Sequence, residues 1–366
     1  MGKTVFVYAT LLVLATGASW MRYTSDDTKP REGVVLVEAK SAELEKVVYD
    51  GKDLDVTFEM REDAHGRYPW VTTVENKKKK VDGVETTEVK TQSFKAGSAA
   101  DKLLENFGPL MALRTLDAVD DAKIEAFGLK EPETTVTVVA GGRTSTLELG
   151  GETYGTKDRY VRHKETGKVY VVKDEPFKTL KFANTRLPER SLVAGKKEEI
   201  EGITLGLGGQ TLVWTQKNKD DKAAAYWERE GKPGKDESFG NWIDKVMKLK
   251  STGYVQEGEA PTDPVPSFDL TVRAAGKPAE TMRLLEAGED WFAQSESTRG
   301  MVKLSKGPAS DVAEDVDDMI EGKLPPEEPK KAPKPPDGAA GAGGPPGRPP
   351  MPMSPMRPPT PPGAPK

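Results

Sequence analysis

The sequence predicts an α+β fold. It reads as two tandem copies of a β-hairpin, helix, β-hairpin, helix module, set after an N-terminal transmembrane helix and before a disordered tail. Three observations carry this. The phrase VTVVAGGRTSTLEL (136–149) returns in altered form as LTVRAAGKPAETMRL (270–284). An amphipathic helical stripe follows alternating strands in each half. The two ends of the chain differ from the middle: residues 4–21 carry no charge, and the last forty or so residues are dense in proline and glycine.

The first copy spans 35–192. VVYDGKDLDVTFEM (47–60) alternates apolar and polar residues about Gly51, the pattern of a hairpin with one buried face. GRYPWVTTVE supplies a further strand with Trp70. GSAADKLLENFGPLMALRTL (97–116) follows as a helix, with Ser98 as N-cap and Leu103, Leu104, Phe107, Leu110, Met111 and Leu113 as its apolar face. Pro109 should kink or split it, because proline lacks the N–H an interior turn needs. VTVVAGGRTSTLELGG and KDRYVRHKETGKVYVV give two more hairpins, and EPFKTLKFA closes the copy as a short helix.

The second copy spans 193–322. ITLGLGGQTLVWTQ (203–216) aligns with the first hairpin, Gly208 falling 157 positions after Gly51 and Trp227 the same distance after Trp70. SFGNWIDKVMKLKS is the matching helix, with Ser238 as cap and Phe239, Trp242, Ile243, Val246 and Leu249 inward. EDWFAQSESTRGMVKL follows as a hairpin in which Trp291 or Phe292 answers Tyr160, and Leu304 answers Val172; SDVAEDVDDMI ends the copy as a helix. The first copy alone carries an insertion, ENKKKKVDGVETTEV, which reads as an exposed hairpin with Lys77 to Lys80 at its tip: either a solvated turn or a contact for an acidic surface.

TVFVYATLLVLATGASWM (4–21) lies between Lys3 and Arg22. A bilayer-crossing helix needs about 20 apolar residues, with a lower limit near 17. Residues 1–24 therefore read as a membrane anchor, and Val5–Ala15 also fits the apolar stretch of a cleaved signal peptide. The sparse flanking charge favours the N-terminus in the cytoplasm and the bulk of the chain in the periplasm, as a single-pass inner-membrane protein. Residues 323–366 cannot build a core, because proline removes donors and glycine adds chain entropy. Their PxxP spacings could dock in an aromatic groove or serve only as a solvated spacer.

The middle of the chain carries the resemblance. FGLKEPETTVTVV (127–139), RYVRHKETGKVYVV and NTRLPERSL (184–192) resemble the strand and turn phrases of a bacterial family known as domain of unknown function 4340, over residues 35–320. The second half departs from the pattern, with GEAPTDPVP before PSFDLTV where the family has Gly-Leu-x-x-Pro. The resemblance implies a membrane-anchored protein, often encoded beside ABC-transporter subunits of the gliding-motility type. It implies no catalytic residue.

The residues themselves nominate no catalytic, cofactor-binding or metal-binding site. With no cysteine, disulfides, thiolate metal sites and cysteine nucleophiles are excluded. A net charge of −5 with acids and bases interspersed argues against nucleic acid, which selects concentrated positive charge. His65 and His163 lie in polar, turn-like contexts without a ligand partner at i+3 or i+4. LGLGGQ (205–210) lacks the Lys-Ser/Thr of a phosphate loop. Glu314, Asp315, Asp317 and Asp318 lack calcium-loop spacing and read as one solvated helix face. No G-x-S-x-G elbow is present. The expected function is therefore a non-enzymatic, membrane-anchored interaction or scaffold protein, accessory to a transporter or envelope assembly. The alternative is a periplasmic glycan-binding protein or hydrolase, with Trp70, Trp227 or Trp291 stacking on sugar.

Overall fold

A computed structural model of the chain describes residues 33–81 and 84–326. Strands β1 (Val34–Val37), β2 (Leu44–Asp50), β3 (Leu54–Asp63), β4 (Gly66–Val81), β5 (Val84–Lys95), β6 (Leu110–Leu116), β7 (Thr134–Ala140), β8 (Arg143–Glu152), β9 (Arg159–His163) and β10 (Val169–Val172) form one antiparallel sheet. Its order is β1-β6-β10-β9-β8-β7-β2-β3-β4-β5. A second sheet holds β11 (Ile200–Leu207), β12 (Gln210–Lys217), β13 (Tyr226–Arg229), β14 (Ser251–Tyr254), β15 (Val265–Ala274), β16 (Glu280–Ala287), β17 (Asp290–Ser295) and β18 (Met301–Leu304). Its order is β13-β12-β11-β15-β16-β17-β18-β14.

These sheets correct the predicted α+β class. Among the described residues strand takes 47% and helix 21%, so the fold is mostly β, and no module is built around its helices. What repeats is the sheet. With β1 and β5 set aside, the strand order of the first sheet recurs in the second. Even the irregularities recur. The β2–β7 ladder slips between Leu44 and Lys46, and the β11–β15 ladder slips between Ile200 and Gly202, 156 positions on.

That spacing also corrects the ungapped alignment on Gly51 and Trp70. Val47 pairs with Phe58 as Ile203 pairs with Trp214, an offset of 156 rather than 157. A one-residue slip moves every side chain to the other face. At 156, Val47, Tyr49 and Phe58 fall on Ile203, Leu205 and Trp214, all buried. Trp227 lies opposite Gln216, the place Pro69 holds opposite Met60, so Trp70 has no tryptophan counterpart. Tyr160 corresponds to Phe292, and Val172 to Leu304.

The helices are α1 (Ala99–Phe107), α2 (Asp121–Ala126), α3 (Glu175–Lys181), α4 (Ala183–Arg186), α5 (Glu237–Lys248) and α6 (Lys306–Glu321). The predicted helix over 97–116 ends at Phe107; beyond Pro109 the chain becomes β6, where Met111 and Leu113 face out at 40% and 38% exposure. The alternating burial of Leu110 and Ala112 against exposed Met111 is strand-like, and pairing with β1 and β10 overrides the helical reading. In α5 the cap is Asp236, two residues before the expected Ser238; its carboxylate accepts from the Phe239 amide at 2.9 Å.

Helices α1 and α3 supply core to the first sheet, with Phe107 and Phe177 edge to face at 6.0 Å. In the second, Trp214 stacks on Phe239 at 4.0 Å, and Trp242 meets Phe268 at 5.2 Å. All of these side chains are buried, so both aromatic helix stripes are core.

The membrane expectations are corrected on two grounds. Among the described residues no helix is long and apolar enough to cross a membrane. The segment on which the transmembrane helix and the single-pass inner-membrane placement rested, residues 1–24, lies outside the described residues. The tail reading of 323–366 also lies outside them beyond residue 326. Within them, Leu324 is buried and its carbonyl accepts from Asn241 at 3.2 Å.

Candidate functional site

The two sheets meet along a seam built mainly from backbone. The end of β5 carries Phe94 and Lys95; β14 ends at Tyr254. Between them runs the linker Leu187–Ser191. Its Leu187 carbonyl accepts from Gly97 at 2.8 Å, its Glu189 amide donates to Lys95 at 2.9 Å, and its Arg190 carbonyl accepts from Ser251 at 2.8 Å. The linker thus hydrogen-bonds to both sheets. The Tyr254 hydroxyl adds a side-chain clasp, 3.0 Å from the Glu189 carbonyl and 3.3 Å from that of Lys95. Gln256 lays its amide along Ser93, accepting from its N–H at 2.7 Å and donating to its carbonyl at 3.4 Å.

Burial perturbs both titratable groups here. It pushes the Tyr254 phenol well above its ordinary value, with Glu189 nearby adding to the rise. It pulls the Lys95 ammonium down, Glu189 opposing and Arg299 assisting.

Beside the seam the β3–β4 turn overhangs the outer face of the second sheet and roofs a cleft of ≈ 640 Å³. The roof carries exposed His65; Thr271, Thr281, Arg283, Gln294 and Glu296 form the floor. Arg299 ties roof to floor. Its guanidinium lies 2.8 Å from Asp63 and 5.1 Å over the Tyr68 ring, and its backbone is left-handed, φ 54°. The floor is charged but internally paired. Arg283 grips Asp269 through two bonds of 2.6 and 3.1 Å, and that pairing raises the guanidinium further above its ordinary range. Glu296 accepts from the Thr281 hydroxyl at 2.5 Å. The cleft can exchange these bonds for those of a polar ligand. Among the described residues no three His, Asp or Glu side chains converge as metal ligands.

The residues weighed from sequence scatter. His65 reaches the cleft roof. His163 is not in a loop but ends β9, largely covered, its Nδ1 2.9 Å from Glu165. Trp227 and Trp291 are buried, and half-buried Trp70 lies under Arg61 at 4.9 Å. Gly208 and Gly209 of LGLGGQ are a two-residue hairpin turn between β11 and β12, at φ 55° and 82°, while Gly206 lies in β11. Asp315 of the acidic helix face bonds Lys245 of α5 at 2.5 Å. Tyr254, Gln256 and Arg299 carried no motif, since each acts through a partner far away in sequence.

The insertion is an arm. Strand β3 pairs with β4 only as far as Glu75, while β4 and β5 pair on to Val81 and Val84. Lys77 to Lys80 lie on strand β4, exposed, rather than at the tip. Glu88 ion-pairs with Lys79, and Lys77 lies 3.3 Å from Glu75.

The seam, the arm and the linker fall within one family match: residues 71–267 match the domain of unknown function (DUF4340), and the chain belongs to that family. No curated protein and no solved structure matches it.

Proposed function

We propose that this chain is a non-enzymatic interaction protein whose double-sheet body holds the β4–β5 arm out to a protein partner. The arm carries this reading: a ribbon beyond the sheet, with four consecutive lysines exposed on it. Clustered lysines steer toward acidic surface and raise association rates more than affinity. The partner class we propose, on the family resemblance, is an ABC-transporter subunit or its assembly. The glycan-binding alternative has less support, since Trp227 and Trp291 are buried and Arg61 covers Trp70.

The test is lysine-directed cross-linking of the tagged full chain in its native cells, with mass spectrometry. The expected result is a partner cross-linked through Lys77–Lys80, whose co-purification without cross-linker is lost when these four become glutamine. Glycan binding or substrate turnover that survives the same replacement would overturn the proposal.

A further inference from the structure

The outer edge of β5 is the last edge of the ten-stranded sheet, and among the described residues no strand pairs with it. Which of its backbone groups point outward follows from the seam. Ser93 directs both its N–H and its carbonyl to Gln256, and the Lys95 carbonyl receives Glu189 and Tyr254. In an antiparallel strand, residues presenting both groups to one side alternate. Thr91, Val89, Thr87 and Glu85 therefore point their N–H and C=O away from β4. Residues 85–91 are all exposed, and Val89 is an apolar side chain left 60% open.

We propose that this edge pairs with the same edge of a second copy of the chain, antiparallel, with the two-fold axis at Val89. Side chains opposite one another share a face, so a symmetric pairing must centre on a residue. Centred on Val89, the two valines meet in a hydrogen-bonded pair, and Thr87 faces Thr91 on either side in two more. Glu88 then faces Lys90 twice, in the non-hydrogen-bonded pairs where side chains approach most closely. Within its own chain Lys90 acts on Glu88 and Glu259 only from beyond ion-pair distance. Neighbouring centres do worse: on Glu88 two carboxylates meet, on Lys90 two ammonium groups, and on Thr87 no opposite charges. Gln256 ends the pairing by occupying Ser93. The inference does not rest on the function proposed above, because a paired edge leaves that question open.

Sedimentation velocity of the full chain over a concentration series tests it. The expected result is a reversible monomer–dimer equilibrium. Val89→Pro removes an N–H that β4 does not use, so it should leave the melting curve of the dilute monomer unchanged and abolish the dimer. Glu88→Lys and Lys90→Glu should each weaken the dimer about ten-fold or more, by setting like charges opposite. Mixing those two variants, or combining both changes in one chain, should restore it. Lys79→Gln, which breaks only the pair within the arm, should leave it unchanged. A monomer at every concentration, a dimer indifferent to Val89→Pro, or a double variant as weak as the singles would each overturn the proposal.

Discussion

Replacing Tyr254 by phenylalanine removes one oxygen from the seam and keeps the ring. The ring packs 5.9 Å from Phe94 and the residue is 8% exposed, so apolar burial is unchanged. What is lost is the single hydroxyl proton shared between two carbonyls. The Lys95 carbonyl keeps the Glu189 amide at 2.9 Å, but the Glu189 carbonyl loses its 3.0 Å donor. A net hydrogen bond of about 1 kcal/mol, plus part of the cost of an unmet buried acceptor, puts the loss at about 1–2 kcal/mol. In a body of this size that is a fall in melting temperature of about 2–3 °C.

The pH profile gives a second, independent reading. The folded-state pKa of Tyr254 is raised, so near pH 10 the unfolded chain releases a proton the folded chain retains. Its contribution is full below pH 10 and declines as pH rises past that value. Lys95 titrates in the opposite sense: with its folded pKa lowered, it makes stability rise with pH until the unfolded value near 10.5 is passed. Tyr254→Phe should therefore show a shallower alkaline decline than the parent. Urea unfolding followed by tryptophan fluorescence at neutral pH and across pH 9–11 measures both. Equal stability at neutral pH with an unaltered alkaline slope would refute the assignment of Tyr254 as the clasp.

Two further predictions concern the sheets. Asp236 uses one carboxylate oxygen to cap α5 and the other to accept from the Trp214 indole at 2.8 Å. Asp236→Ala should cost about 2–3 kcal/mol, from a lost cap and an unpaired buried indole N–H, and Asp236→Asn roughly half, because one oxygen remains; chemical denaturation with near-UV circular dichroism reports it. Gly150 is buried, and a Cβ there would lie 2.3 Å from the Phe127 carbonyl, which accepts from Gly151 at 2.7 Å. Gly150→Ala must displace backbone, costing about 1–3 kcal/mol, and should loosen the Phe127–Tyr160 stack, now 4.1 Å between centroids.

Local pattern was legible where the chain is its own context. The strand alternation of Val47 to Met60, the glycine turn at Gly208–Gly209 and the inward face of α5 depend on near neighbours, and periodicity reports them. The stretch after Pro109 was not legible: a broad apolar run serves a helix or a strand equally, and pairing with β1 and β10 decided it. The candidate site was illegible for a related reason. Arg299 meets Asp63 and Gln256 meets Ser93 across more than 150 positions, and no local spacing encodes such partners.

By itself the sequence determined that the chain writes one strand plan twice, that its histidines lack clustered ligand spacing, and that it belongs in character to its family. Only the tertiary structure decided the register, moving the alignment from 157 to 156 and separating Trp70 from Trp227, because strand pairing distinguishes the two faces of a sheet where glycine and tryptophan landmarks do not. It also decided that sheets rather than helices dominate, that the linker binds both sheets, and that the lysine run stands on an arm with an open edge. Those outcomes are set by backbone hydrogen bonds between distant segments, which composition and spacing do not record.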